Sequence, residues 1–245
     1  MIHATPASPP ATPLRSHLSD HLDLAEVTDE TIGARVVTLR AADTGGHRSS
    51  AQILVHRMYA GRGYKTSTDT PTPASNVVTL IACDQGETIG TISVSFDSPR
   101  GLLADDLFLA ELNALRAQGR RLCEFTKLAM DHVVKSRRVL ASLFHAAYIW
   151  AHLRLGFDDV VIEVNPRHVR YYQRMLGFTV IGPQRLNRRV DAVAVLMRLD
   201  FAHARRQIAQ FAGRPEVGTE RSLYPHFFSA KEEAGIAARL PSSPT

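Results

Sequence analysis

Glu124, Thr126 and Lys127 stand inside RRLCEFTKLAMDHVVKSRR (Arg120 to Arg138), a stretch that otherwise reads as a buried strand. Strand alternation puts Leu122, Glu124, Thr126, Leu128 and Met130 on one face and Cys123, Phe125, Lys127 and Ala129 on the other. A carboxylate on such a face must be paired, open to a cleft or shifted in pKa, because burying a bare charge costs several kcal/mol or more. Glu124 is therefore a candidate general base or anchor for a substrate amine. The structural alternative is an ion pair with an arginine such as Arg121 or Arg40. Thr126 is equally at home as a plain β-former.

The same stretch runs into a helix start, KSRRVLAS, with Ser136 as the expected cap and Arg137 and Arg138 in the first turn. Cations oppose the positive end of a helix dipole by a few tenths of a kcal/mol to about 1 kcal/mol each, and an anion bound among them reverses the sign. Solvated arginines pointing away from the helix end are the alternative.

A third constellation is VIEVNPRHVRYYQRMLGF, Val161 to Phe178. Asn165 at a strand end either holds a ligand or caps the following helix. Tyr171 and Tyr172 can serve as proton donors or as core side chains with a wet hydroxyl. His145, His152 and His168 have no ligand-like spacing, which argues against a metal site.

These residues need a scaffold. The chain has 245 residues, 44% hydrophobic and 22% charged, enough for one sizeable core. A net charge of +5 favours acidic partners, and with only four lysines nearly all of the positive charge is arginine, which suits phosphate and carboxylate. Cys83 and Cys123 sit in apolar runs and match no metal spacing, so they read as reduced thiols, without a disulfide framework. The start, MIHATPASPPATPLRS, has prolines where a signal peptide needs apolar residues, and no later run is long enough to span a bilayer. A cytoplasmic location is expected, with weak membrane-surface association through basic patches left open.

Residues 1–20 are expected to form a disordered tail, 21–212 the main domain and 213–245 a C-terminal extension. VVTLR begins the strands, and GGHRSSAQILVHRMYAGRGY is a helix ending in glycines. NVVTLIACD and TIGTISVSFD form a hairpin, and ADDLFLAELNALRAQ is an amphipathic helix. After the opening strand comes a long helix from about Ser136 to Leu155, then the strand DDVVIEV and the helix PRHVRYYQRML. The strands FTVIG and DAVAVLMRLD and the helix FAHARRQIAQF close the order. Hairpins at both ends with crossover helices between them mean a mixed α/β sheet.

Strand, long helix, strand, then a helix carrying Asn165 and Tyr172 and ending in Leu176, Gly177 and Phe178, resembles the core of the GNAT acyltransferase superfamily from about Ile53 to Leu199. That likeness implies a GNAT-like, mostly antiparallel central sheet flanked by helices. Two features depart from it. The glycine-rich pyrophosphate loop of that superfamily is replaced by KSRRVLAS, and Tyr172 stands one residue farther from Gly177 than is usual there. With CEFTKLAMD, these departures resemble the long-chain N-acyl amino acid synthases, relatives of the acyl-homoserine lactone synthases.

The resemblance implies a fatty acyl donor held as acyl-phosphopantetheine on acyl carrier protein, an amino acid acceptor and no permanently bound cofactor or metal. It places Glu124 and Thr126 at the thioester, and the backbone of Leu128, Ala129 and Met130 along the pantetheine arm. Phe144 would wall the acyl chain, or simply pack the core, as would Leu140, Leu143 and Ala147. Asn165 and Tyr172 join the substrate-binding set, and Lys127, Lys135, Arg137 and Arg138 face the carrier and its phosphate. A coenzyme A-dependent N-acetyltransferase, an acyl-homoserine lactone synthase and a basic module binding nucleic acid or anionic lipid are the alternatives. No helix-turn-helix or base-stacking signature supports nucleic acid.

Overall fold

The computed structural model describes residues 23–29, 35–65, 76–131, 136–217 and 221–240. In order, these form β1 (Asp23–Asp29), β2 (Arg35–Ala41), α1 (Gly45–Ala60), β3 (Val77–Asp84), β4 (Glu87–Phe96), α2 (Asp105–Ala117) and β5 (Leu122–Met130). They continue as α3 (Arg137–Tyr148), β6 (Asp159–Val164), α4 (Val169–Leu176), β7 (Thr179–Val180), β8 (Arg185–Asn187), β9 (Ala192–Asp200), α5 (Phe201–Phe211) and α6 (Ala230–Arg239). The strands lie in the order β1-β2-β3-β4-β5-β6-β9-β7, with β8 beside β9, and among the described residues only the β5–β6 pair is parallel. The architecture is therefore a mixed, mostly antiparallel sheet flanked by helices, as the pattern of apolar runs requires.

The turn between β3 and β4 places Gln85 and Gly86 at φ 50° and 87°, left-handed conformations that suit the twist of a two-residue hairpin. A parallel neighbour needs a crossover, and α3 supplies it between β5 and β6. The expected long helix is present but loosens into a π-helical turn at Ile149–Arg154 before Gly156 stops it at φ 71°. Three elements were not expected: β1, β8 and α6. β8 is three residues long and β1 has mixed periodicity, so neither offers a strong alternating signal.

The two sheet faces carry different cores. Leu80, Ile92, Val94, Cys123, Phe125, Val160 and Ile162 pack with α3, α4 and α5 on one side, and Leu122, Val161 and Leu196 pack with Phe108 and Leu112 of α2 on the other. The C-terminal extension joins the first core, with Leu223, Tyr224, Phe227, Phe228 and Ile236 all buried. Its attachment is polar as well as apolar. Fully buried His145 of α3 accepts from the Phe228 N–H at Nδ1 (2.9 Å), which leaves Nε2 to donate to Glu233 (2.8 Å). The expected tail at residues 1–20 lies outside the described residues.

Candidate active site

β5 does not keep one phase along its length. Thr91 of β4 faces Ala129 and Ser93 faces Thr126, so Lys127 and Leu128 together oppose Ile92. Lys127 takes φ 51° to make this β-bulge. The inserted residue reverses the alternation. Leu128 and Met130 pack on the α3 side with Cys123 and Phe125, and Ala129 turns to the opposite side against Leu54 and Val55 of α1. The expectation that Leu128 and Met130 share the Glu124 face is therefore corrected: an unbroken alternation cannot reveal a bulge.

β5 and β6 pair only through Leu122, Cys123 and Glu124 with Asp159, Val160 and Val161. Beyond that point the sheet has an opening, bordered by Phe125–Met130 on one side and Ile162–Val164 on the other. The Asp131 N–H donates to Ile89 of β4 (2.8 Å), so the backbone groups of neighbouring Met130 point the other way, toward the open edge.

Glu124 sits at the mouth of this opening, only 1% exposed. Its carboxylate accepts from the Ala104 N–H at the start of α2 (3.3 Å). That start is rigidly held. The Arg116 guanidinium forks to Asp97 (2.7 Å) and Asp105 (2.7 Å), and Asp105 in turn accepts from the Leu102 N–H (2.7 Å). Neither Arg121 nor Arg40 pairs with Glu124. Arg121 lies over the Phe157 ring and donates to the Gly156 carbonyl, and Arg40 pairs with Asp23.

Burial pushes the Glu124 carboxyl up to about 8, and the negative charge of Glu163 adds to the rise against the smaller pull of the Ala104 N–H. Glu163 is on the same face of β6, two residues past Val161, and accepts from Arg189 and from Asn187 Nδ2 (3.2 Å). Burial raises its pKa too, against the lowering effect of Arg189. Arg189 also donates to the Leu103 carbonyl (2.5 Å) and Asp106 (2.6 Å), and Arg185 grips Glu111 (2.7 Å), so the β8 hairpin is tied to α2 across the site. On β4, buried Ser93, Ser95 and Thr91 continue the polar strip beside Glu124 and Thr126; Ser93 hydrogen-bonds Thr79 (2.8 Å). Glu163, Asn187 and Arg189 escaped the sequence reading, although an acid inside the apolar run VVIEV is the signal that singled out Glu124.

The remaining candidates divide. Asn165 caps its helix, accepting from the Arg167 N–H (3.2 Å). Half-buried Tyr172 meets Phe144 and Phe178 edge-on, with centroids 6.5 and 5.8 Å away, and burial raises its pKa. Phe144 is buried, Lys127 and Arg137 are exposed, and Lys135 lies outside the described residues. Ser136 caps α3 as expected, accepting from the Val139 N–H (3.0 Å). Arg138 is a correction. Grouped by sequence with the phosphate-facing cations, it instead donates to the His226 and Phe227 carbonyls (2.8 Å each) and pairs with Glu232 (3.0 Å), holding the C-terminal extension. Among the described residues no group of three or more His, Cys, Asp or Glu is placed to hold a metal ion, and no helix is long and apolar enough to cross a membrane.

A buried, basic carboxylate beside a break in a sheet can deprotonate an amine next to a thioester threaded through that break. Comparisons with known proteins bear on the family. The family model of the N-acyl amino acid synthase FeeM matches residues 50–200. The solved structure of FeeM, an N-acyl amino acid synthase from uncultured soil microbes, is 31% identical, with a TM-score of 0.64 over 71% of this chain and 96% of that one. An acyl-CoA N-acyltransferase from Pseudomonas aeruginosa matches at 14% identity and TM-score 0.47, covering 66% of this chain and 97% of that one. The acyl-homoserine lactone synthase LasI matches at 12% and 0.46, covering 68% and 90%. Comparison with curated protein sequences finds no match. The chain belongs to the FeeM family of N-acyl amino acid synthases.

Proposed function

We propose that the protein transfers a long-chain fatty acyl group from the phosphopantetheine of acyl carrier protein to the amine of an amino acid. The observation that carries this reading is Glu124, buried at the point where β5 and β6 separate, where burial raises its carboxyl to about 8. An ammonium group loses its proton to Glu124, directly or through one water, and the freed amine attacks the thioester carbonyl carbon. The carbon–sulfur bond then breaks, the nitrogen's second proton passes to the departing sulfur, and an amide and the free thiol of the phosphopantetheine remain. A base whose pKa lies close to that of its proton donor transfers the proton at little cost.

A carrier protein as donor is supported by the start of α3. A coenzyme A donor carries a pyrophosphate that glycine-rich loops hold with backbone N–H groups, whereas an acyl carrier protein brings one phosphodiester on an acidic surface. Here the helix opens with Ser136 as its cap and exposed Arg137 and has no glycine. Arginine suits a single phosphate. Turnover measured side by side with acyl carrier protein and coenzyme A thioesters of one fatty acid tests the donor, and equal or better use of coenzyme A overturns it. Mass spectrometry of lipids from expressing cells identifies the acceptor, and absence of any N-acyl amino acid overturns the reaction.

A further inference from the structure

We propose that the C-terminal extension sets the length of the acyl group: Tyr224 and Phe227 close the far end of an apolar cavity in which the acyl tail ends. The inference rests on the acyl-transfer reading above and adds the specificity element to it. The cavity lies on the α3 side of the sheet, lined by Phe125, Phe144, Phe201, Ala204, Tyr224 and Phe227 among others, with almost no polar surface. Phe125 directly follows Glu124 on β5 and points to the opposite face, and the strand pairing that would seal the sheet between β5 and β6 stops at Glu124. A chain attached to a carbonyl at Glu124 would cross the sheet through this opening to the face on which Phe125 lines the cavity. Phe144 lies at its wall and also meets Tyr172 of α4, with ring centroids 6.5 Å apart.

The end wall comes from outside the segment that matches the FeeM family model, residues 50–200. It is also held firmly. The Tyr224 hydroxyl donates to the Leu176 carbonyl (2.8 Å), the Phe227 ring stacks on His145 with centroids 4.7 Å apart, and the Phe227 carbonyl accepts from Arg138 (2.8 Å). A wall fixed at three points stops a methyl terminus at one depth. Each methylene beyond that depth must displace an aromatic ring, whereas a shorter chain leaves apolar surface unfilled.

The test is the product profile of the full chain supplied with an equimolar set of acyl carrier protein thioesters of increasing length. In Phe227→Leu and Phe227→Ala the ratio of longer to shorter products rises at least about tenfold, and in Ala204→Leu, which fills the cavity, it falls by as much. Because a core variant can fail to fold, the unmodified enzyme is also loaded with an acyl group bearing a diazirine at its terminal carbon and irradiated. Labelling of the peptide containing Tyr224 and Phe227 supports the inference. An unchanged ratio in folded variants, or labelling confined to other segments, overturns it while product formation leaves the acyl-transfer reading standing. If the wild-type protein forms no N-acyl product from any donor, both fall.

Discussion

Glu124 and Glu163 occupy the same face of neighbouring strands at the point where those strands part, and only Glu163 is bonded to an arginine. The asymmetry assigns the proton. Burial, with the negative charge of Glu163 adding to it, lifts Glu124 to about 8, whereas at Glu163 the rise from burial is opposed by Arg189.

Glu124→Gln should lower turnover at least about a hundredfold, since the amide keeps the size and cannot accept a proton. In the wild type, activity should rise with pH and level off above about 8, where the carboxylate is ionised. The variant should lose that limb. Stability moves oppositely: a carboxyl raised in the folded state favours folding below its unfolded value of 4.5, and this contribution is lost as pH rises through about 8. The melting temperature of Glu124→Gln should therefore fall less than that of wild type across this window.

Glu163→Gln should move the same activity limb to lower pH, because the charge that raises Glu124 is gone while Arg189 remains. A pH profile with an unmoved limb would show that burial alone sets Glu124.

Arg137 and Arg138 are adjacent and should behave differently. Arg137→Glu should raise KM for acyl carrier protein about tenfold with a weakened salt dependence and an unchanged melting curve. Arg138→Ala strips the hydrogen bonds of two carbonyls and should cost about 1–3 kcal/mol in denaturant unfolding.

Lys127→Gly should be tolerated or mildly stabilising, and Lys127→Val should cost about 1–3 kcal/mol, since a β-branched residue is strained at φ 51°. Urea midpoints for the two variants separate a demand of the backbone from a role of the ammonium group.

Burial lowers the His145 pKa below 6.5 against the pull of Glu233. Its contribution to stability is present above 6.5 and lost as pH falls through the lower folded value, because a protonated ring cannot accept the Phe228 N–H. Acid should release the C-terminal extension, seen as faster hydrogen exchange in residues 221–240. His145→Phe should be less stable at neutral pH and should lack this acid-dependent release.

The sequence made the sheet legible where alternation was strong, as in the β3–β4 hairpin, and it marked Glu124 because an acid in an apolar run breaks a local rule. It hid what depends on tertiary neighbours. The bulge at Lys127 leaves no mark in an alternating pattern, and Arg138 resembled Arg137 until the extension was seen folded over it. Arg189 and Asn187 come from a short hairpin with weak periodicity, so only the fold brings them to Glu163.

The bulge also constrains what β5 can become. Removing one residue between Phe125 and Ala129 would restore a regular pleat and rotate Met130 by half a turn, out of the interior shared with Leu143 and into the space of α1. Single-codon deletions there should be far more damaging than substitutions, so the strand is free to change its letters and not its count.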